Sequence, residues 1–178
     1  MKKTVRFLVT TAIALLLATS AAMAQASEEA KAIFAGAESK FAKGDYPAAI
    51  AEYTRALELD PKFAEAYVSR GEAKSVTGDR EGAIADYTKV IELDPKSADA
   101  YNNRGSVKAE KGDKTGALAD YSKAVEVNPI FVAAYMNRAA VKVDLGDKEG
   151  VIADLLVAAK LGNASAQQWL NANGVSGW

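Results

Sequence analysis

Three prolines, Pro61, Pro95 and Pro129, stand 34 residues apart, each at the same place in a recurring phrase. The phrases read LDPKFAEAYVSRG over residues 59–71, LDPKSADAYNNRG over 93–105 and VNPIFVAAYMNRA over 127–139. A unit this short cannot bury its own apolar face, so a chain that repeats it must stack the copies against one another. A chemical site is usually built once, and recurrence therefore points to architecture.

The 34-residue frame extends without insertion in both directions, giving four units over 30–63, 64–97, 98–131 and 132–165. A glycine-aspartate pair recurs as Gly44-Asp45, Gly78-Asp79, Gly112-Asp113 and Gly146-Asp147. Glycine accepts the left-handed backbone that ends a helix, and aspartate accepts hydrogen bonds from the N–H groups that open the next. Each pair therefore predicts a joint between two helices. At the other boundary Asp-Pro or Asn-Pro stops a helix, because proline lacks an N–H and disfavours helical backbone in the residue before it. Between these stops the apolar residues fall at helical spacing, as with Ala83, Ile84, Tyr87, Val90 and Ile91.

Small residues mark where two helices approach: Ala37, Gly71, Gly105 and Ala139 on the first helix, and Ala49, Ala83, Ala117 and Val151 near the start of the second. Tyr67, Tyr101 and Tyr135 lie four residues before three of the first-helix sites. In the third unit Tyr101, Gly105, Ala117, Tyr121, Ala124 and Pro129 stand where the tetratricopeptide repeat places its small, aromatic and closing residues, and the second unit matches almost as well. The chain resembles that family over residues 30–165. The resemblance implies an all-α fold, a right-handed superhelix or α-solenoid of four helix-turn-helix units, whose first helices line a concave face that commonly holds a peptide or a partner's helix.

The terminal units depart from the pattern, as expected where one neighbour is missing. The first has Gly36 where the others have arginine; the fourth has Val151 for alanine, Leu155 for the aromatic and Asn163 for proline, which predicts a looser closing turn. Residues 166–178 follow as a capping helix and tail; the helix, read over Ala164–Gly174, is expected to cover the last apolar face with Trp169 and Leu170. Trp178 is either an idle surface aromatic or a docking residue.

Ahead of the repeats, Lys2, Lys3 and Arg6 precede an apolar run from Phe7 to Ala18 and then small residues at Ala22, Ala24 and Ala26. This is the layout of a secretory signal peptide over 1–24, with cleavage after Ala24 or Ala26. The alternative is an uncleaved anchor, for which Phe7–Ala24 is barely long enough. The absence of cysteine excludes a disulfide framework and a lipid-modified cysteine. The expectation is a soluble product of Sec export, periplasmic or secreted, with no membrane insertion after cleavage. Without Lys2, Lys3 and Arg6 the 22 basic residues fall to 19 against 23 acidic ones, which argues against a nucleic-acid surface.

Charges recur with the same period. Arg70, Arg104 and Arg138 occupy one first-helix position, with Lys74, Lys108 and Lys142 four residues later and Lys40 matching them in the first unit. Glu52, Asp86, Asp120 and Asp154 form an acidic column on the second helices. The columns can be an anion-binding stripe or an internal ladder of ion pairs, and half-buried charge favours the second. Because the first unit has the acid but no arginine, the register expected is from each unit to the next: Glu52 to Arg70, Asp86 to Arg104 and Asp120 to Arg138.

The concave positions implied by the family resemblance are Phe34, Glu38 and Phe41 in the first unit, then Val68, Glu72 and Ser75, then Asn102, Ser106 and Ala109, and finally Met136, Ala140 and Val143. Phe34 and Phe41 can equally be core residues of the first hairpin. Where chaperone-tail receptors of the family grip a carboxylate with lysine, asparagine and arginine, this sequence has Phe34, Glu38, Ser69, Asp99 and Asn103, so an acidic C-terminal tail is not the expected ligand. With no histidine and no cysteine, the commonest acid-base group, the usual metal ligands and the thiol nucleophile are missing. No catalytic residue, metal site or cofactor is expected. The sequence points to a scaffold that binds a protein or peptide in the bacterial cell envelope, or else to a structural subunit that assembles through its convex face or its C-terminal tail, with the oligomeric state left open.

Overall fold

The computed structural model describes the backbone of residues 2–176, with side chains from residue 22 onward. Among the described residues there are nine helices and no strand: α1 (Lys2–Ala42), α2 (Tyr46–Leu59), α3 (Ala64–Val76), α4 (Arg80–Leu93), α5 (Ala98–Glu110), α6 (Lys114–Val127), α7 (Val132–Leu145), α8 (Lys148–Lys160) and α9 (Ala164–Ala172). The chain divides into two compact units, Met1–Ser69 and Arg70–Trp178. In the first, α1 packs along α2; in the second, α4 to α9 each pack on the next helix in sequence. The fold is all-α, as the repeat predicts.

Local chemistry sets these boundaries. Gly44, Gly78, Gly112 and Gly146 all adopt positive φ, between 75° and 87°, which an L side chain would resist. Each following aspartate then caps the next helix, with the Asp79, Asp113 and Asp147 carboxylates accepting from the Gly82, Gly116 and Gly150 N–H groups at 2.9–3.0 Å. Before the prolines, Asp60, Asp94 and Asn128 turn to extended backbone and end their helices. The last repeat closes differently. Only Leu161, Gly162 and Asn163 separate α8 from α9; Gly162 takes φ +91°, and the Asn163 side chain caps α9 by accepting from the Ala166 N–H at 2.9 Å. The buried alanines that open the first helices, Ala66, Ala100, Ala134 and Ala166, thus run at 34, 34 and then 32 residues. The closing turn expected to be looser is instead shorter and capped, because glycine plus an asparagine cap replace the proline.

The region read as a leader is continuous with the first repeat. The backbone of residues 2–24 belongs to α1, and Ala24 and Ala26, the candidate cleavage positions, lie within that helix. Among the described residues no helix is long and apolar enough to cross a membrane.

Helices approach closely because small residues face rings. In the Arg70–Trp178 unit the ring of Tyr121 lies where a Cβ on Gly105 would come within 3.0 Å of it, and Tyr87 stands 3.1 Å from the equivalent point on Gly71. The same crossing brings the Cβ of Asp86 to 3.4 Å and that of Asp120 to 3.2 Å from those points. The acids of the second helices therefore sit beside the arginine that precedes each small residue. Behind the crossings the core is rich in alanine, with Ala117, Ala124, Ala134, Ala158 and Ala166 fully buried.

That placement decides the register of the charges. Arg70 binds Asp86 through Nε and Nη2 at 2.9 and 2.6 Å, Arg104 binds Asp120 at 2.9 and 2.7 Å, and Arg138 binds Asp154 at 3.0 and 2.5 Å. Lys74, Lys108 and Lys142 each add a bond of 2.8 Å to the same carboxylates. The unit-to-unit pairing expected for Glu52, Asp86 and Asp120 is thus corrected: each arginine turns to the acid of its own hairpin, because that acid is already brought to the arginine by the helix crossing. Glu52 is served by Lys40 at 2.8 Å and by Arg55 at 3.5 Å. The arginines reach the preceding repeat through a hydroxyl, with Arg104 Nη1 donating to Thr88 Oγ1 and Arg138 Nη1 to Ser122 Oγ, both at 3.1 Å, while exposed pairs such as Arg80–Glu110 and Lys114–Asp144 also join neighbouring repeats. Arg104 also lies over the Tyr101 ring and Arg138 over Tyr135, at 5.7 and 5.5 Å from the ring centres.

Two sets of substitutions test this packing by thermal or urea unfolding. Gly105→Val is expected to lose about 1–3 kcal/mol by driving a side chain into Tyr121 and Asp120, whereas Gly36→Ala, with nothing near its Cβ position, should gain roughly 0.5–1 kcal/mol. Asp120→Ala strands Arg104 and Lys108 and should cost about 3–5 kcal/mol. Asp144→Ala, which removes an exposed pair with Lys114, should cost less than about 1 kcal/mol.

Candidate functional site

In the Met1–Ser69 unit the candidate side chains are partly absorbed by packing. The Phe34 ring meets Tyr53 at 5.7 Å and Phe63 at 4.9 Å, and Phe41 meets Tyr46 edge-on at 5.3 Å. Both phenylalanines nonetheless keep part of their surface in solvent, as does Val68. Glu38 is exposed and accepts a hydrogen bond from the Tyr53 hydroxyl.

In the Arg70–Trp178 unit the first-helix face changes character along its length. Glu72 on α3 is exposed. Its charge, with those of Asp86 and Glu110, adds to burial in pushing the Tyr87 phenol up to about 12. On α5, Asn102 is 9% exposed, and its Oδ1 accepts from Asn137 Nδ2 of α7 at 2.9 Å. Ser106 donates to the Asn102 carbonyl and accepts from the Tyr121 hydroxyl, both at 3.1 Å. These groups make the middle of the face polar and internally braced.

Beyond them the face turns apolar. Met136, Ala139, Ala140 and Val143 of α7 meet Val151 and Leu155 of α8 and Ser165 and Trp169 of α9 around an open hollow of about 250 Å³. A second hollow of about 430 Å³ shares Val143, Val151 and Trp169 and extends to Lys148, Ile152 and Val175. Val143 is 60% and Trp169 39% exposed. Trp169 thus departs from the covering role expected for it: Leu170 is fully buried against α8, while the indole forms a wall of the hollow because α9, at nine residues, is too short to fill the space a full first helix would. Sequence reasoning placed Met136, Ala140 and Val143 on this face and missed Trp169 and Val175. Met136, Ala140 and Val143 are the part of the candidate set that the structure gathers in one place, with Trp169 beside them. Trp178 lies outside the described residues.

The arrangement offers polar and apolar surfaces along the first helices. Among the described residues no group of three or more acidic side chains is placed to hold a metal ion. The strongest charge clusters, around Asp86, Asp120 and Asp154, are saturated with hydrogen bonds from their own arginine and lysine.

Comparison with known proteins agrees with this geometry. The family model described as TPR repeat matches residues 37–75 and 77–112, and that described as tetratricopeptide repeat matches residues 98–131. No curated protein matches the chain. Among solved structures, the crystal structure of MamA protein superposes with a TM-score of 0.72 at 23% identity, covering 83% of this chain and 84% of that one. The first TPR of Spaghetti (RPAP3), bound to the HSP90 peptide SRMEEVD, gives 0.65 at 22% identity over 67% of this chain and 95% of that one. The Arabidopsis OM64 TPR domain gives 0.63 at 23% identity over 66% and 98%. The family models together span more than half of the sequence, in the frame set by the prolines and the glycine-aspartate joints, and the chain belongs to the tetratricopeptide repeat family.

Proposed function

We propose that the chain is a non-catalytic scaffold of the bacterial cell envelope that holds a peptide or protein segment against the faces of its first helices. The observation that carries this reading is the open apolar hollow bounded by Met136, Val143 and Trp169, in the same unit as the polar groups of α5 and joined to them on α7 by the Asn137–Asn102 hydrogen bond. Apolar side chains exposed beside braced hydrogen-bonding groups suit an amphipathic segment. The RPAP3 domain supports the reading by analogy, since that protein is bound to a peptide. Its acidic ligand does not carry over: Glu38 and Asp99 stand where a basic clamp would be needed.

The envelope assignment rests on the leader-like N-terminus. Mass spectrometry of exported protein should find a mature chain beginning at Gln25 or Ser27, and an intact Met1 would overturn it.

A photo-crosslinking residue placed at Phe34, Val68 or Met136 in cells should yield discrete adducts, absent when the same residue replaces Glu58 on the exposed side of α2. Equal labelling at all four positions would sink the scaffold reading. Light scattering on the purified protein separates it from the rival: a monomer agrees with an adaptor, and a defined oligomer formed without any partner favours a structural subunit.

A further inference from the structure

We propose that the partner segment held by the Arg70–Trp178 unit is an amphipathic peptide with basic residues, its apolar side chains seated in the hollow among α7, α8 and α9 and a lysine or arginine set against Glu72. This rests on the scaffold reading and names the chemistry of its ligand.

Complementarity of charge is the argument for this occupant. Every first-helix cation at the recurring positions is turned to the second helix of its hairpin: Arg70 and Lys74 to Asp86, Arg104 and Lys108 to Asp120, Arg138 and Lys142 to Asp154. Those side chains are 15–22% exposed and their hydrogen bonds are already spent. Glu72 stands two residues from both Arg70 and Lys74 on α3, which at about 100° per residue sets it on the far side of the helix from them. It is exposed and joins no ion pair among the described residues. The face away from the triads therefore carries an uncompensated carboxylate at one end and polar amides in the middle.

The other end supplies the anchor. An indole 39% exposed, with Val143 60% exposed beside it, around an open hollow is the kind of surface that buried apolar anchors of a partner cover. A segment meeting both ends needs apolar residues for the hollow and positive charge for Glu72. A second copy of this chain would bring its own Glu72 to the same face in place of a cation, and like charges oppose that docking.

The test uses the full chain carrying Trp178→Phe, so that Trp169 is the remaining tryptophan of the two and reports occupancy of the hollow by its fluorescence. Three synthetic peptides of about 12 residues, roughly 40 Å when extended, are titrated: one combining leucine and phenylalanine with lysine, one with glutamate for lysine, and one with serine for the apolar residues. The lysine peptide is expected to bind about five- to tenfold more tightly than the glutamate peptide, and the serine peptide to give no saturable change. Val143→Asp should abolish the response. Glu72→Lys should reverse the charge preference, whereas Glu149→Lys, an exposed acid at the start of α8, should leave it standing. Circular dichroism of each variant checks that it is folded.

Equal binding of the lysine and glutamate peptides, or equal loss from Glu72→Lys and Glu149→Lys, would overturn the assignment of a basic ligand. Tighter binding of the glutamate peptide, still dependent on Val143, would do the same yet leave the scaffold reading intact. A Trp169 change that follows protein concentration without any peptide would replace the peptide by a second copy. Failure of all three peptides ends this proposal, and failure of site-specific crosslinking at Met136 as well would end the scaffold reading with it.

Discussion

The closest approach of the two helices in each hairpin governs most of what surrounds it. Gly71 and Gly105 have no side chain at the crossing, Tyr87 and Tyr121 fill the space, and the preceding aspartates are carried into the interior by the same contact. Asp86, Asp120 and Asp154 are only 2–4% exposed, and a lone carboxylate there would be costly. Each is met by a bidentate arginine and a lysine, geometry in which burial is tolerable because the acceptor positions are filled. Close packing and charge pairing are thus one arrangement, and changing either partner disturbs both.

Much of this was legible in the sequence because repetition multiplies weak signals. One glycine-aspartate pair is a poor helix marker; four at equal spacing, alternating with three prolines, fix the joint inside every hairpin and the three boundaries between hairpins. The boundaries of α2 to α8 follow those markers closely. The charge columns were visible for the same reason, but their pairing was not. Period tells which residues are equivalent and says nothing about which neighbour each one faces, since a step of 16 within a hairpin and a step of 18 to the next hairpin repeat equally well. The rotation of the crossing, set by Gly105 against Tyr121, chooses between them.

The less legible part lies where repetition stops. The change from 34 to 32 residues before α9 arises from a glycine with positive φ and an asparagine cap, a local exchange that a fixed frame conceals. The sequence of the capping helix predicts that Trp169 and Leu170 together cover the last apolar face. The observed split, with Leu170 inward and the indole at the lip, depends on how far a nine-residue helix can reach. The candidate anchor surface is therefore a product of termination, and its tryptophan has no counterpart in the repeats themselves.

The pairing of charges within hairpins has a bearing on how such an array can change in length. Because each buried aspartate, arginine and lysine set closes inside its own hairpin, excising or duplicating one whole 34-residue block would carry its buried ions with their partners, and only exposed pairs such as Lys114–Asp144 would be exchanged at the seam. Had the pairing stepped from block to block, the final block would have kept a buried carboxylate with no arginine to meet it.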